Sequence, residues 1–186
     1  MALYQTYGKE DYDGEPVSQA SHMVQCAMQG MADAAGEELI LGAFLHDIGH
    51  MIGHRQHASS MGNFGAIDHE GIGAAYLRQA GFSERICAVV ENHVNAKRYL
   101  VATDEAYSRK LSEASWQTLQ WQGGPMISNE LEAFSDHPFF DDIITVRLWD
   151  EQAKDPEAEL VPIEYFRNLI IQHLALNKNE HILSSI

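Results

Sequence analysis

Glu37-Glu38-Leu39-Ile40-Leu41-Gly42-Ala43-Phe44-Leu45-His46-Asp47-Ile48-Gly49-His50 is the segment from which the architecture can be read. Leu39, Ile40, Ala43, Phe44 and Ile48 recur at the spacing of a helix face, not at the two-residue alternation of a half-buried strand. The spacing predicts a helix over 37–50. That helix carries an adjacent His46-Asp47 pair in apolar surroundings, and burying either group without a partner costs free energy. One divalent metal answers both needs, because imidazole nitrogen and carboxylate oxygen are ordinary ligands of iron, manganese and zinc. His50 lies one turn beyond His46 on the same face, within reach of a substrate held beside the metal.

On either side, start and stop signals divide the chain into further helices. Ser18 and Ser21 are candidate N-caps for a helix over 19–35, closed by Gly36. Residues 51–67, with Gly53, Ser59, Ser60, Gly62 and Gly65, read as a loop. Asp68 opens a helix to Gln79 with Gly81 as its stop, and Ser83 opens another carrying Ile86, Val89, Val90 and His93 to about Leu100. Helices follow over 111–122, 129–134 and 136–153. Pro162 then leads into a closing helix over 163–177 with Phe166, Leu169, Ile170 and Leu174 toward the core. No segment alternates like a strand and no repeat is present. The expectation is an all-α helical bundle, one domain over 1–186, with a metal-binding core over about 12–153.

Composition narrows the partners. Twelve Lys+Arg against 27 Asp+Glu give a net charge of −15, which repels a polyphosphate backbone and argues against nucleic acid. No run of 18 apolar residues predicts a membrane span. The N-terminus lacks the basic start and apolar block of a secretory signal. Cys26 and Cys87 could form at most one bridge, so a reduced, cytoplasmic protein is expected. No feature sets an oligomeric state.

Ten histidines are unusual in 186 residues. His22 sits near the start of its helix, His69 at the start of another, His93 near the end of a third, and Asp150 closes Arg147-Leu148-Trp149-Asp150. With His46-Asp47 these are six donors, more than one metal with open positions needs. Two metals sharing Asp47 as a bridging carboxylate would use them all. Lys97 shares a helix face with His93, and Arg147 with Asp150, so both cations can face the metals. His54 and His57 fall in the polar loop and could form a lid. His137, His173 and His181 fit no ligand spacing. Met23, Met28 and Met31 read as core filling, and Cys26 as a buried, inert thiol.

His22, His46-Asp47 and Asp150 resemble the ligand set of the HD-domain superfamily, and the added His69 and His93 resemble its dinuclear branch. Within that branch the chain is similar to the mixed-valent diiron oxygenases of phosphonate catabolism, the 2-amino-1-hydroxyethylphosphonate dioxygenases (glycine-forming) and their trimethylammonium-substrate relatives. Supporting stretches are Tyr12-Asp13-Gly14-Glu15-Pro16-Val17-Ser18-Gln19, Ala80-Gly81-Phe82-Ser83-Glu84-Arg85-Ile86 and His93-Val94-Asn95-Ala96-Lys97-Arg98-Tyr99-Leu100.

The resemblance implies one iron on His22, His46, Asp47 and Asp150 and a second on Asp47, His69 and His93, as an Fe(II)/Fe(III) pair with O2 as co-substrate. It implies that Tyr12 occupies the second iron until substrate arrives, with Glu15 then facing the cationic end of the substrate. Lys97, Ser115, Arg147 and His50 would contact the phosphonate, and Tyr12, Glu15 and His50 would take part in catalysis. The implied reaction is oxidative C–P cleavage of an (R)-1-hydroxy-2-(amino or trimethylamino)ethylphosphonate, giving glycine or glycine betaine plus phosphate. Tyr12, Glu15, Tyr99 and residues 61–64 are candidates to surround the amine, with a slight lean toward a methylated one. The rival reading is a metal-dependent phosphohydrolase of the same superfamily acting on a phosphate ester or nucleotide. A third is a non-catalytic metal-dependent binding domain.

Overall fold

The computed structural model describes residues 1–10, 12, 14–61 and 65–184, with the side chains of 179–184 excepted. Its helices follow in the order α1 (Ala2–Tyr7), α2 (Gln19–Ala32), α3 (Glu37–Leu45), α4 (Ile48–Gln56), α5 (His69–Ala80), α6 (Glu84–Thr103), α7 (Glu105–Ser108), α8 (Glu113–Trp121), α9 (Ser128–Ser135), α10 (Phe140–Gln152) and α11 (Ile163–Ser184). Among the described residues no strand longer than an isolated bridge occurs, that of Ser60 with Ala66. The architecture is all-α, as the periodicity predicts.

Several boundaries follow from caps. Ser18 Oγ accepts the Ser21 backbone N–H at 3.2 Å and starts α2. Gly81 closes α5 with φ +89, a conformation that costs a residue with a Cβ, and its N–H turns back to the carbonyls of Leu77 and Arg78. Other boundaries differ from the expectation. The single helix over 37–50 is two helices, broken at His46-Asp47, where Asp47 has φ −101 and ψ 11. The donor pair therefore sits at a corner between α3 and α4, not along one helix. The loop expected over 51–67 is shorter, because Met51 and Ile52 are fully buried and hold α4 together as far as Gln56. α6 and α11 run past their predicted ends at 100 and 177, and α10 starts four residues later than predicted. α1 and α7 are too short for periodicity to reveal.

α3 is the central helix. Every residue from Leu39 to Leu45 is buried, which places it among neighbours on all sides. Phe44 is stacked between Tyr4, at 4.8 Å between ring centroids, and Phe166, at 4.3 Å, which ties α1 and α11 to α3. Tyr4 uses its hydroxyl to donate to the Phe44 carbonyl at 2.8 Å, so the buried phenol has its partner. α2, α6 and α10 pack around the same core; Met23 and Cys26 are fully buried there, and Met28 and Met31 lie against its edge. Both cysteines are buried thiols. No described helix is long and apolar enough to cross a membrane.

Candidate metal centre

Four helices and one corner converge on one point. α2 brings His22, the α3–α4 corner brings His46 and Asp47, α5 opens with His69, α6 carries His93 and α10 carries Asp150. All six are at most 4% exposed. Their hydrogen bonds decide the tautomers. His22 Nδ1 lies 2.9 Å from the Ala153 carbonyl, His46 Nδ1 2.8 Å from the Ala43 carbonyl and His93 Nδ1 2.7 Å from the Val90 carbonyl. A carbonyl only accepts, so each Nδ1 carries the proton and each Nε2 is left with a lone pair. His69 Nδ1 makes no hydrogen bond, although Glu70 Oε2 stands 3.3 Å away as an acceptor.

These lone pairs point at one another. His22 Nε2 and His46 Nε2 are 3.1 Å apart, and His69 Nε2 and His93 Nε2 are 3.0 Å apart. In the neutral form that metal ligation requires, neither pair has a proton to share, and each is repulsive unless a cation lies between its members. Asp47 divides its carboxylate between them. Its Oδ2 is 3.6 Å from His22 Nε2 and 3.3 Å from His46 Nε2, while its Oδ1 is 3.4 Å from His69 Nε2 and 3.2 Å from His93 Nε2. Asp150 Oδ1 completes the first cluster at 3.1 Å from His22 Nε2 and 3.8 Å from His46 Nε2, and it is buried without a hydrogen bond. Ligands about 2.1 Å from a metal stand about 3 Å from their neighbours in an octahedral shell. The donor set, its spacing and the orphaned Asp150 oxygen thus fit metal on both sides of Asp47.

His50 is also close, with Nε2 3.9 Å from Asp47 Oδ1 and its ring stacked on His69 at 3.9 Å. Its hydrogen bonding is reversed. Nδ1 accepts the Ala66 backbone N–H at 3.1 Å, so the proton is on Nε2 and faces the centre. His50 therefore offers a donor where the other histidines offer lone pairs.

A cavity of about 50 Å³ opens beside the centre. Its walls include Asp47, His69, His93 and Asp150 together with Tyr12, Glu15, His50, Lys97, Ser115 and Arg147, which are all the sequence-predicted site residues except His22 and His46. The Tyr12 ring lies flat on His22 at 3.8 Å, on the His22/His46 side of Asp47. Burial, reinforced by the Asp47 and Asp150 carboxylates, pushes its phenol well above the usual range. Lys97 is buried and donates to Thr118 Oγ1 at 2.9 Å; burial, with the Arg147 charge nearby, pulls its ammonium down to about 7. Arg147 donates from Nε to the Tyr107 hydroxyl at 2.7 Å and pairs with Asp150 and Glu151. Glu15, expected to await a cationic substrate, already accepts from Ser112 Oγ at 2.5 Å and pairs with Lys154 at 3.1 Å.

Other expectations fall away from the centre. His54 is exposed and faces Glu10 at 3.8 Å, and neither it nor His57 lines the cavity. His173 is held by the Ser83 N–H and by Asn177, and His137 by the Phe139 N–H. Of the 61–64 stretch, Met61 lines the cavity, whereas Gly62, Asn63 and Phe64 lie outside the described residues, as do Asp13 and the side chain of His181. Thr118, Tyr107, Glu151 and Lys154 escaped the sequence reading. The four-residue spacing from Arg147 to Glu151 and from Asp150 to Lys154 was a usable signal for the last two; nothing local marks Tyr107.

The profile of the HD domain matches residues 19–163. The chain is 41% identical over 179 residues to an uncharacterized protein of Acanthamoeba polyphaga mimivirus, covering 95% of this chain and 81% of that one. It is 40% identical over 173 residues to the [1-hydroxy-2-(trimethylamino)ethyl]phosphonate dioxygenase (glycine-betaine-forming) of Leisingera caerulea, covering 90% and 85%. It is 36% identical over 154 residues to the hydroxymethylphosphonate dioxygenase of Gimesia maris, covering 82% and 75%. Fold, donor set and relatives converge, and the chain belongs to the HD-domain family, in its phosphonate dioxygenase branch.

Proposed function

We propose that this enzyme uses a pair of irons and O2 to cleave the C–P bond of a small 1-hydroxyphosphonate. The observation that carries the two-metal reading is the divided carboxylate of Asp47, with one oxygen toward each histidine pair. His22, His46, Asp47 and Asp150 would hold one iron, and Asp47, His69 and His93 the other. When bound, the Fe(II)/Fe(III) pair supplies the anchoring of substrate oxygens and the activation of O2. For a substrate RCH(OH)PO3²⁻ the balance is one O2 consumed, with RCOO⁻, HPO4²⁻ and one proton formed. The carbon loses four electrons and the dioxygen gains them. A 2-amino substituent would yield glycine, and a 2-trimethylamino substituent glycine betaine.

The protein's own side chains position the substrate. His50 presents Nε2–H toward a phosphonate or hydroxyl oxygen beside Asp47. Lys97 supplies a cation, and Arg147, held by Tyr107, Asp150 and Glu151, presents a fixed guanidinium at the cavity wall. Ser115 adds a hydroxyl at the cavity wall. Tyr12 closes the cavity over His22 and would leave when substrate enters. Burial and the Asp47 and Asp150 carboxylates favour the protonated phenol, and ligation to a metal would be what favours the phenolate.

The test combines metal analysis with O2 uptake and phosphate release on hydroxymethylphosphonate, 1-hydroxy-2-aminoethylphosphonate and its trimethylamino counterpart. One O2 per phosphate supports the proposal. Anaerobic hydrolysis of a nucleotide or phosphate ester, with no phosphonate consumed, would establish the phosphohydrolase instead.

Lys97 also imposes a pH dependence. Its ammonium must be protonated to meet a phosphonate dianion, and in the empty cavity that charge is lost as pH rises through about 7. KM should therefore climb above neutrality, by up to roughly tenfold per pH unit. Lys97→Arg should flatten the profile, since a guanidinium stays charged. An unchanged profile in that variant would remove Lys97 from substrate binding.

A further inference from the structure

Lys154 stands one turn beyond Asp150, at the point where the chain leaves α10. Its Nζ lies 3.1 Å from Glu15 Oε1, 2.8 Å from Glu151 Oε1 and 3.5 Å from Ser115 Oγ. Glu15 Oε1 also accepts from Ser112 Oγ at 2.5 Å, and the second oxygen of Glu151 is held by Arg147. The groups form a continuous chain, Ser112–Glu15–Lys154–Glu151–Arg147, of which Glu15 and Arg147 line the cavity while Lys154 stands behind Glu15. The Glu15 side chain is 11% exposed and the Lys154 side chain 15%, so the pair is largely withdrawn from the water and salt that would screen it.

Along this chain each carboxylate meets a cation, and Arg147 is shared with Asp150 as well. Glu15 and Glu151 contribute two negative charges, and Lys154 and Arg147 two positive ones. Glu15 lines the cavity, and the family resemblance implies that a cationic substituent at C2 would depend on it, yet a cation of the protein is already on it. An incoming ammonium or trimethylammonium would gain a shared carboxylate and face the Lys154 ammonium at close range. Placing like charges together is a means of rejecting a ligand, not only of weakening it.

We propose that Lys154 is the specificity-determining residue of the site: it fills the cation position on Glu15, so that the cavity selects 1-hydroxyphosphonates without a cationic substituent. This rests on the phosphonate reading above and narrows its substrate class. It departs from the slight lean toward a methylated amine, since the residue types alone suit either amine. Identity does not decide the matter, since one relative is a dioxygenase of a trimethylamino substrate at 40% and another of hydroxymethylphosphonate at 36%.

The experiment measures anaerobic affinity of the iron-loaded enzyme for hydroxymethylphosphonate and for 1-hydroxy-2-(trimethylamino)ethylphosphonate by calorimetry, with aerobic kcat/KM alongside. The wild type should bind the first more tightly by at least about tenfold. Lys154→Met exposes Glu15 and should shift the affinity ratio toward the trimethylamino compound by about tenfold or more. Lys154→Arg should keep the wild-type ratio, and adding Glu15→Gln to Lys154→Met should abolish the gain. Lys154→Gln is the alternative if the methionine variant folds poorly. The proposal is overturned if the wild type binds the trimethylamino compound equally or better, if the ratio is unmoved by loss of Lys154, or if neither compound binds. Binding with the expected ratio but no O2 uptake on either compound would instead sink the oxygenase reading and leave the role of Lys154 standing.

Discussion

Asp47→Ala should strip the protein of both metals and lower turnover by about 10³-fold or more, since a shared carboxylate contributes several kcal/mol to each ion it holds. The reason is geometric. Oδ2 serves the His22/His46 pair and Oδ1 the His69/His93 pair, so one substitution opens both clusters. His22→Ala and His93→Ala touch one cluster each, and should each leave one metal in place. His50→Ala should keep both metals and still lose turnover, because His50 offers a proton and not a lone pair. Metal content per chain, measured with O2 uptake on the same samples, separates these cases. Two metals retained in Asp47→Ala would refute the bridging assignment, and a metal lost in His50→Ala would make that histidine a ligand.

The second large effect is expected at Gly49, on the first turn of α4. A Cβ built there would lie 1.8 Å from the His69 carbonyl oxygen and 2.6 Å from its carbon. The obstacle is backbone at the start of α5, not the end of a flexible side chain, so the two helices must separate. Gly49→Ala should cost about 3 kcal/mol, the upper part of the range for overpacking. For a chain of this length that lowers Tm by roughly 6–12 °C. Because the shift moves His69 directly, the metal beside His93 should be lost before the one beside His22. Gly36→Ala, where an added Cβ meets no atom within 4 Å, is the control. A Gly49→Ala protein with wild-type Tm and full metal content would show that α4 and α5 can move apart without cost.

The two substitutions rest on different kinds of information. The His46-Asp47 pair is visible in the sequence because two costly polar groups interrupt an apolar helical pattern. The close approach behind Gly49 is not, because a glycine in a helix looks the same whether its neighbour is solvent or another backbone. The break between α3 and α4 has the same origin. Its apolar spacing continues smoothly from Leu39 to Ile48, and only contacts with α5 and the inward demand of Asp47 place a corner there.

Periodicity and caps determined the helical class and most helix starts from the sequence alone, because helix formation is decided by hydrogen bonds and faces within a few residues. The donor types and their order followed from the sequence too, helped by resemblance. The tertiary structure alone decided which nitrogen of each histidine carries the proton, since that depends on carbonyls as distant as Ala153 from His22. It alone divided Asp47 between two pairs of lone pairs. And it alone set Lys154 against Glu15, two residues 139 positions apart whose charges are ordinary in the sequence and acquire a meaning only when folding removes the water between them.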